Sequence, residues 1–162
     1  MSDLPKRAYA WNSENIVWQE IGADGTKYAL LEGRRDAAGE AFTYAFFIPA
    51  GFWDPAHWHT ADARITVLKG TLYLGYGDLH NEQALQAFGV GSYVLVPAEA
   101  KHFDGSSEDT LIIGTAVGPW STYYVDPTVK VSAGTKKWPR NNSPYSAVCF
   151  WFQVRSSSLE VL

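Results

Sequence analysis

Cysteine is nearly absent from this sequence, since Cys149 is the only one among 162 residues. No disulfide can form within the chain, which favours a reducing, cytoplasmic setting. Cys149 lies in the apolar run AVCFWFQV with no histidine beside it, an environment in which a thiol is usually inert. We therefore expect neither a disulfide framework nor a cysteine nucleophile.

Clusters of positive charge and long apolar runs are also missing. Lysine and arginine number 13 against 17 acidic residues, the net charge is −4, and the basic pairs Arg34-Arg35 and Lys136-Lys137 are isolated. Nucleic-acid binding needs clustered positive charge, so we expect no such partner. Apolar stretches such as 41–51 fall far short of the roughly 20 residues of a membrane-spanning helix. Residues 1–11 lack the apolar core of a signal peptide, so we expect no membrane association.

Aromatic residues, in contrast, are abundant and make up 15% of the chain. They suit strand faces and an aromatic-walled cavity better than a helical bundle. The length and a hydrophobic share of 46% fit one globular domain, which we place at residues 1–155. Residues 156–162, SSSLEVL, are typical of a linker and the start of a 3C-type protease site, and we interpret them as an expression-tag remnant.

Short β-rich runs separated by turn residues fill most of the chain. The pattern predicts strands near Ile16–Glu20, Tyr28–Glu32, Phe42–Ile48, Ile65–Leu68, Thr71–Tyr76, Gln86–Phe88, Tyr93–Val96, Leu111–Val117 and Thr122–Val125, with one helical turn within Asn81–Ala87. Many short strands without crossover helices favour an antiparallel sandwich or barrel. Asp126–Ser143 reads as an irregular arm, and Ala147–Val154 as an apolar, aromatic segment that packs onto the barrel or onto a second subunit.

The histidines carry the strongest functional signal. His57 and His59 flank Trp58, a spacing that places both imidazoles on one side of an extended strand, where they can chelate one ion. The pair stands in a frame that runs from Gly51 through HWH to Gly70, and a second frame runs from Gly91 through Pro97 to His102.

These two frames resemble the two motifs of the cupin superfamily, G-x5-H-x-H-x3-4-E-x6-G and G-x5-P-x-G-x2-H-x3-N. The stretches GTKYALLEG, AFTYAFFIPAG, HWHTADARITVLKGTLYLGYGD and GPWSTYYVDP are also similar to small single-domain cupins of mostly unassigned function. The resemblance covers roughly residues 20–127, with a motif core at about 40–127. It implies an all-β double-stranded β-helix, or jelly-roll barrel, here with an N-terminal extension and a C-terminal aromatic arm. It also implies that His57, His59 and His102 bind a divalent metal ion inside the barrel, with Fe, Zn, Mn and Ni not distinguished.

The sequence departs from the cupin motifs at three positions. Ala63 stands where the family has its glutamate ligand, Glu99 replaces a glycine, and Ser106 replaces an asparagine. Three neutral imidazoles leave the ion without a protein anion and with open positions. The alternative is a set of core histidines that holds no ion.

Two carboxylates are candidates to complete the site. Asp104 lies two residues beyond His102 and shares its strand face if the strand continues, and Asp62 follows His59 near the barrel rim. Each is a candidate fourth ligand or general base, or a partner that orients an imidazole.

Four further residues are candidates for the substrate pocket. Tyr44, Phe46 and Tyr73 alternate along predicted strands, and Arg64 enters only if the strand places it inward. If Ala63 faces inward instead, strand alternation turns Arg64 outward. His80 is interpreted as a solvated loop residue.

We therefore expect a metal-dependent enzyme that acts on a small aromatic or oxygenated organic molecule. A non-haem iron oxygenase is slightly favoured over a redox-neutral lyase, isomerase or cyclase, and a non-catalytic metal or ligand sensor is the alternative of another class. A homodimer is expected, as cupins commonly form one.

Overall fold

Eleven strands form two antiparallel sheets in the computed structural model, which describes residues 10–129 and 133–134. All of these strands lie in one structural unit, Val17–Trp138, and the other unit comprises Met1–Ile16 and Pro139–Leu162. Of the second unit only residues 10–16 are described, and they contain a turn closed by the Asn15 N–H on the Asn12 carbonyl.

The strands follow one another through short turns. They are β1 Glu20–Ile21, β2 Lys27–Gly33, β3 Ala41–Ile48, β4 Trp53–His59, β5 Ala63–Lys69, β6 Leu72–Tyr76, β7 Gln86–Phe88, β8 Tyr93–Val96, β9 His102–Gly105, β10 Thr110–Val117 and β11 Thr122–Tyr124. A single 3-10 turn, Glu82–Ala84, falls inside the predicted helical turn. Within the described residues the predicted all-β jelly-roll class is confirmed.

The sheets interleave in chain order, as a jelly roll requires. The six-stranded sheet has the order β1-β2-β3-β10-β5-β8, and the five-stranded sheet has the order β11-β4-β9-β6-β7. Consecutive strands β4 and β5 therefore belong to different sheets. The inner faces of both sheets supply the apolar core, in which the side chains of Phe42, Ile48, Val67 and Leu72 are almost fully buried.

Strand β4 contains the irregularity that matters most for function. Its pairing with β9 shifts register between Asp54 and His57, which marks a β-bulge around Pro55 and Ala56. Proline has no N–H for the ladder, so a bulge is a place where a strand tolerates it. Simple alternation from His57 would turn Asp54 outward, but the bulge turns both side chains inward.

Predicted strand positions agree with the structure where apolar residues alternate, and Gln86–Phe88 and Tyr93–Val96 are reproduced residue for residue. The first predicted strand is shifted, because the structure begins pairing only at Glu20. The apolar segment Ala147–Val154, most of the arm Asp126–Ser143 and the interpreted tag remnant at 156–162 lie outside the described residues.

Candidate metal centre

Three histidine side chains meet on the inner face of the five-stranded sheet. His57 and His59 project from β4, and His102 of β9 is the register partner of His57. Their ligand nitrogens all lie within 4.8 Å of one another. Nitrogens that each sit about 2.1 Å from one zinc ion lie about 3.4 Å apart at a tetrahedral angle. Small side-chain movements therefore bring this cluster to bonding geometry.

Hydrogen bonds orient each ring so that one nitrogen remains free. The Nδ1 atoms of His57 and His102 lie 2.8 and 2.9 Å from the carbonyl oxygens of Pro55 and Ala100. A carbonyl oxygen only accepts, so each Nδ1 carries the hydrogen and each Nε2 keeps its lone pair. The Nδ1 of His59 bonds the Thr122 hydroxyl at 3.0 Å. This pattern of outer partners is the one that metal-bound histidines usually have, and the donor set fits a divalent ion.

Burial keeps two of the rings uncharged. Desolvation, followed by the charges of His57 and His102, lowers the pKa of His59 well below its usual value. Desolvation, followed by the charge of His57, lowers the pKa of His102 to about 3. Neutral imidazole is the form that binds metal, so protons do not compete with an ion for these two rings near neutral pH.

The indole of Trp120 supports His59 from the side. The two rings are stacked with centroids 4.3 Å apart and an interplanar angle of 26°. Trp120 is buried, and its backbone N–H donates to the Arg35 carbonyl. The stacked indole supports the orientation of the His59 ring in which Nδ1 bonds the Thr122 hydroxyl.

Two carboxylates complete the polar part of the site. One Asp104 oxygen lies 3.7 Å from Nε2 of His57 and 3.9 Å from Nε2 of His102. Asp54 is buried, accepts a 2.8 Å hydrogen bond from the Tyr124 hydroxyl, and lies 3.9 Å from Nδ1 of His57. The Asp104 oxygen is therefore placed on the side of the imidazoles that an ion would occupy, and Asp54 on the opposite side of His57.

A cavity of about 70 Å³ connects these groups. Aromatic and aliphatic side chains of the six-stranded sheet form its opposite wall, among them Tyr28, Tyr44, Phe46, Ile65 and Ile112. Tyr44 lies across from Gly114, whose missing side chain leaves room for the phenol ring. The cavity thus has a polar face with imidazoles and carboxylates and an apolar, aromatic face.

A family model described as the ChrR cupin-like domain matches residues 6–121, most of the chain. The chain belongs to this cupin family. No curated protein matches the chain. No helix among the described residues has the length and apolarity needed to cross a membrane.

Solved structures with the same fold include a cyclase, a lyase and an anti-sigma factor. This cupin is similar to the polyketide cyclase RemF from Streptomyces resistomycificus, at 20% identity and a TM-score of 0.55 over 70% of this chain and 80% of that chain. It is similar to the DMSP lyase DddQ from Ruegeria pomeroyi DSS-3, at 18% identity and a TM-score of 0.55 over 76% of this chain and 63% of that chain. It also matches the Rhodobacter sphaeroides complex of SigE with the anti-sigma ChrR, at 22% identity and a TM-score of 0.50 over 65% of this chain and 50% of that chain. At these identities the likeness shows the fold alone.

The three departures from the cupin motifs have structural explanations or consequences. Ala63 is buried and faces the core, so no carboxylate comes from that position. Glu99 adopts a φ of +62°, the left-handed conformation that glycine takes without strain. Ser106 is fully buried and donates to the Thr71 carbonyl at 2.7 Å, so it anchors the turn that the motif's asparagine would occupy.

Three of the predicted site residues lie away from the cavity of this cupin. Asp62 is exposed, accepts from the Ala98 N–H at 2.8 Å and pairs with Arg64, which alternation turns outward once Ala63 faces the core. Tyr73 also points outward, because Leu72 and Leu74 take the inner face of β6, and it contacts Trp53 on the outside of the sheet. Asp104, Tyr44 and Phe46 do line the cavity.

The sequence interpretation missed four residues of the site. Thr122 and Tyr124 lie on one face of β11, opposite His59 and His57, and their alternation was a usable signal in the predicted strand. Trp120 carried no positional signal beyond its aromatic character. Asp54 could not be assigned by alternation, because the bulge in β4 reverses its direction.

Proposed function

We propose that this protein is a metal-dependent enzyme that moves a proton on a small oxygenated substrate, in the manner of a lyase, isomerase or cyclase. His57, His59 and His102 hold the ion, and Asp104 is the proton-transfer group or completes the coordination. The observation that carries the proposal is the Asp104 oxygen, which lies in the cavity 3.7 and 3.9 Å from the Nε2 atoms of two imidazoles.

When bound, a divalent ion supplies Lewis acidity that polarises a carbonyl or hydroxyl oxygen. The other steps depend on the residues of the chain. Asp104 takes or returns a proton at Oδ2, and the aromatic wall excludes water from the substrate. The Tyr124 hydroxyl donates to Asp54, which holds that second carboxylate in place beside Nδ1 of His57.

The buried Asp54 and the partly buried Asp104 next to the imidazoles favour redox-neutral proton transfer over the oxygenase that the sequence slightly favoured. Acid–base groups are needed for redox-neutral proton transfer, and the cyclase and the lyase among the similar structures agree with such chemistry. The second candidate is a non-haem iron oxygenase. The absence of a glutamate at position 63, which is Ala63, leaves three histidines as the motif ligands and favours this candidate.

Metal binding is tested first, on protein purified without added metal. Zinc and ferrous iron are titrated by calorimetry into the wild type and into His57→Ala, His102→Ala and His80→Ala. We expect one ion per wild-type chain and a loss of at least tenfold in affinity for the first two variants. His80 contacts Trp53 and Phe103 instead of the cluster, so His80→Ala is the matched control and keeps wild-type affinity. Equal metal affinity in all four proteins would show that the histidine cluster does not bind the ion, and the proposed metal-dependent function would be wrong.

The reaction class is tested next with small ketones and keto acids in D₂O. Zinc-loaded protein is expected to exchange their acidic C–H hydrogens without oxygen, as followed by NMR, and Asp104→Asn is expected to abolish the exchange. Oxygen consumption that requires iron would transfer the assignment to the oxygenase. Tight binding of a probe without exchange or oxygen consumption would identify a sensor.

A further inference from the structure

The Tyr44 side chain lies on the cavity wall formed by the six-stranded sheet, across from the imidazoles. It projects from β3 and is buried. Apart from Tyr28, the other side chains of this sheet that line the wall are the apolar Phe46, Ile65 and Ile112. Two phenol hydroxyls are therefore the side-chain polar groups that the described residues of this sheet bring to the wall.

Close packing fixes the position of the Tyr44 ring. The Tyr28 ring stacks on it with centroids 5.7 Å apart, and the ring centroids of Phe42 and Trp120 lie 5.9 and 6.2 Å away. Beneath the ring is Gly114 of β10, where a Cβ atom would overlap the phenol carbon and its oxygen. The place of the hydroxyl is therefore set by its neighbours, as is required of a group that positions a ligand.

The Tyr44 hydroxyl has no hydrogen-bond partner in the part of the chain that the structure describes. The Tyr28 hydroxyl is enclosed by protein atoms, whereas the Tyr44 hydroxyl is not, so a ligand in the cavity can reach only the second of the two. The Tyr124 hydroxyl, by contrast, already donates to Asp54 at 2.8 Å. A polar group of a buried residue without a partner needs an explanation, and a ligand oxygen in the cavity would supply one.

The phenol of Tyr44 keeps its proton near neutral pH. Burial raises its pKa, and the charges of Tyr28 and Asp104 add to the rise. A protonated phenol donates a hydrogen bond, for which the oxygen of a carbonyl or a hydroxyl is a suitable acceptor. An ion on the imidazole face takes an oxygen ligand as well. A small molecule that contacts both walls therefore carries two oxygen functions.

We propose that the Tyr44 hydroxyl binds the substrate directly, by donating a hydrogen bond to the second oxygen of a small molecule whose first oxygen faces the imidazoles. The inference deepens the proposed function and rests on it, since the bound molecule is taken to be the substrate. It specifies the substrate class as a hydroxy ketone or dicarbonyl small enough for a cavity of about 70 Å³. Tyr44 stays protonated and orients this molecule, and proton transfer remains the role of Asp104.

The test compares hydroxy ketones with isosteres in which a methyl group replaces the hydroxyl. Hydroxyacetone and 2-butanone form one pair, and acetoin and 3-methyl-2-butanone form the other. All four are titrated by NMR into metal-free and zinc-loaded protein. We expect each hydroxy ketone to bind about three- to tenfold more tightly than its isostere, the range of one net hydrogen bond. In Tyr44→Phe this preference is lost in both forms of the protein.

Tyr73→Phe is the matched control, because it removes a hydroxyl on the outer face of the sheet, and it keeps the wild-type preference. Tyr44→Phe retains the ring, and its hydroxyl makes no hydrogen bond within the described residues. Its melting temperature is therefore expected to equal or exceed that of the wild type. A second readout is the phenol carbon of Tyr44 in protein labelled with [ζ-13C]tyrosine. Its signal is identified by its loss in Tyr44→Phe, and it is expected to shift when hydroxyacetone is added.

A preference for hydroxy ketones that persists in Tyr44→Phe, or a Tyr44 signal that hydroxyacetone does not shift, would overturn this role. A melting temperature several degrees lower in Tyr44→Phe would show that the hydroxyl serves the fold instead. Zinc affinity is measured in parallel on the same samples. Failure to bind zinc, with the Tyr44-dependent preference intact in metal-free protein, would overturn the proposed function alone.

Discussion

Asp54 and Asp104 are register partners across strands β4 and β9, and both side chains face the same cavity. Desolvation raises the pKa of each carboxyl. For Asp104 the His57 charge partly opposes this rise and the Asp54 charge adds to it, and the resulting pKa is about 7. In metal-free protein both carboxyls therefore keep a proton at a higher pH than they would in water.

The first prediction concerns the pH dependence of stability. Because the pKa of Asp104 rises from 3.8 to about 7 on folding, its contribution to stability is complete below pH 4 and is lost as the pH rises through 7. Metal-free Asp104→Asn is therefore expected to be more stable than the wild type at pH 8, by about 1–3 kcal/mol, with the gain vanishing towards pH 4. Urea unfolding at pH 4, 6 and 8 measures this. The control Asp36→Asn alters an exposed carboxylate and gives no such trend. A gain that is equal at all three pH values contradicts the assignment.

The second prediction concerns the outer partner of His59. Thr122→Val keeps the shape of the side chain but removes the hydroxyl that bonds Nδ1 at 3.0 Å. Zinc affinity is expected to fall about 10–100-fold, as for other partners of metal-bound histidines, and Thr122→Ser restores it. Calorimetric titration measures the affinity. Thr115→Val removes a hydroxyl that bonds Thr43 instead, so an equal loss there would show that the effect is not specific to the site.

The third prediction concerns the glycine beneath Tyr44. A methyl group at Gly114 would overlap the Tyr44 ring, whereas one at Gly89 meets nothing within 4 Å. Gly114→Ala is expected to destabilise the protein by about 1–3 kcal/mol, since the buried ring must move. Gly89→Ala is expected to be neutral or to stabilise slightly. Thermal unfolding of the two variants compares them, and similar melting temperatures would show that the ring does not lie on Gly114.

The fourth prediction concerns the left-handed residue in the turn before β9. Glu99→Gly is expected to stabilise the protein by about 0.5–1 kcal/mol, because a side chain at positive φ is strained. The backbone N–H of residue 99, which bonds the His59 carbonyl at 2.9 Å, is retained in the variant. Glu82→Gly in the 3-10 turn should have the opposite sign. Chemical denaturation measures both, and destabilisation by Glu99→Gly would contradict the strain argument.

Sequence pattern predicted most of the fold because apolar alternation marks strands such as Ala41–Ile48 and Thr110–Val117. The two strands that carry the histidines were harder to recognise. In β4 and β9 the inward positions hold histidine and aspartate, so the apolar signal is missing where the function is. The motif frames identified the histidines there, and the spacing of Asp104 from His102 identified one of the two carboxylates.

The remaining parts of the site depend on geometry that alternation cannot supply. Asp54 faces inward through a bulge, and Trp120 reaches the cavity from a loop, where its backbone N–H donates to the Arg35 carbonyl. Arg64 and Tyr73 are residue types that could line a pocket. Their side chains lie on the outer face of their strands, because Ala63 and Leu74 occupy the inward positions. The face of a regular strand on which a side chain lies is predictable from sequence, whereas bulges and loop contacts are not.

The pairing of His57 with His102 also bears on the kinetics of folding. An unfolded chain can present His57 and His59 together, since they are neighbours, but His102 joins them only when β9 pairs with β4. Such long-range pairings form slowly, because a long loop must close first. An ion held by all three rings therefore stabilises the native state without assisting the early steps of folding, and its effect falls on the unfolding rate. Bound metal would link β4 to β9. The amide hydrogens of these two strands would then exchange with solvent more slowly than those of the strands at the sheet edges.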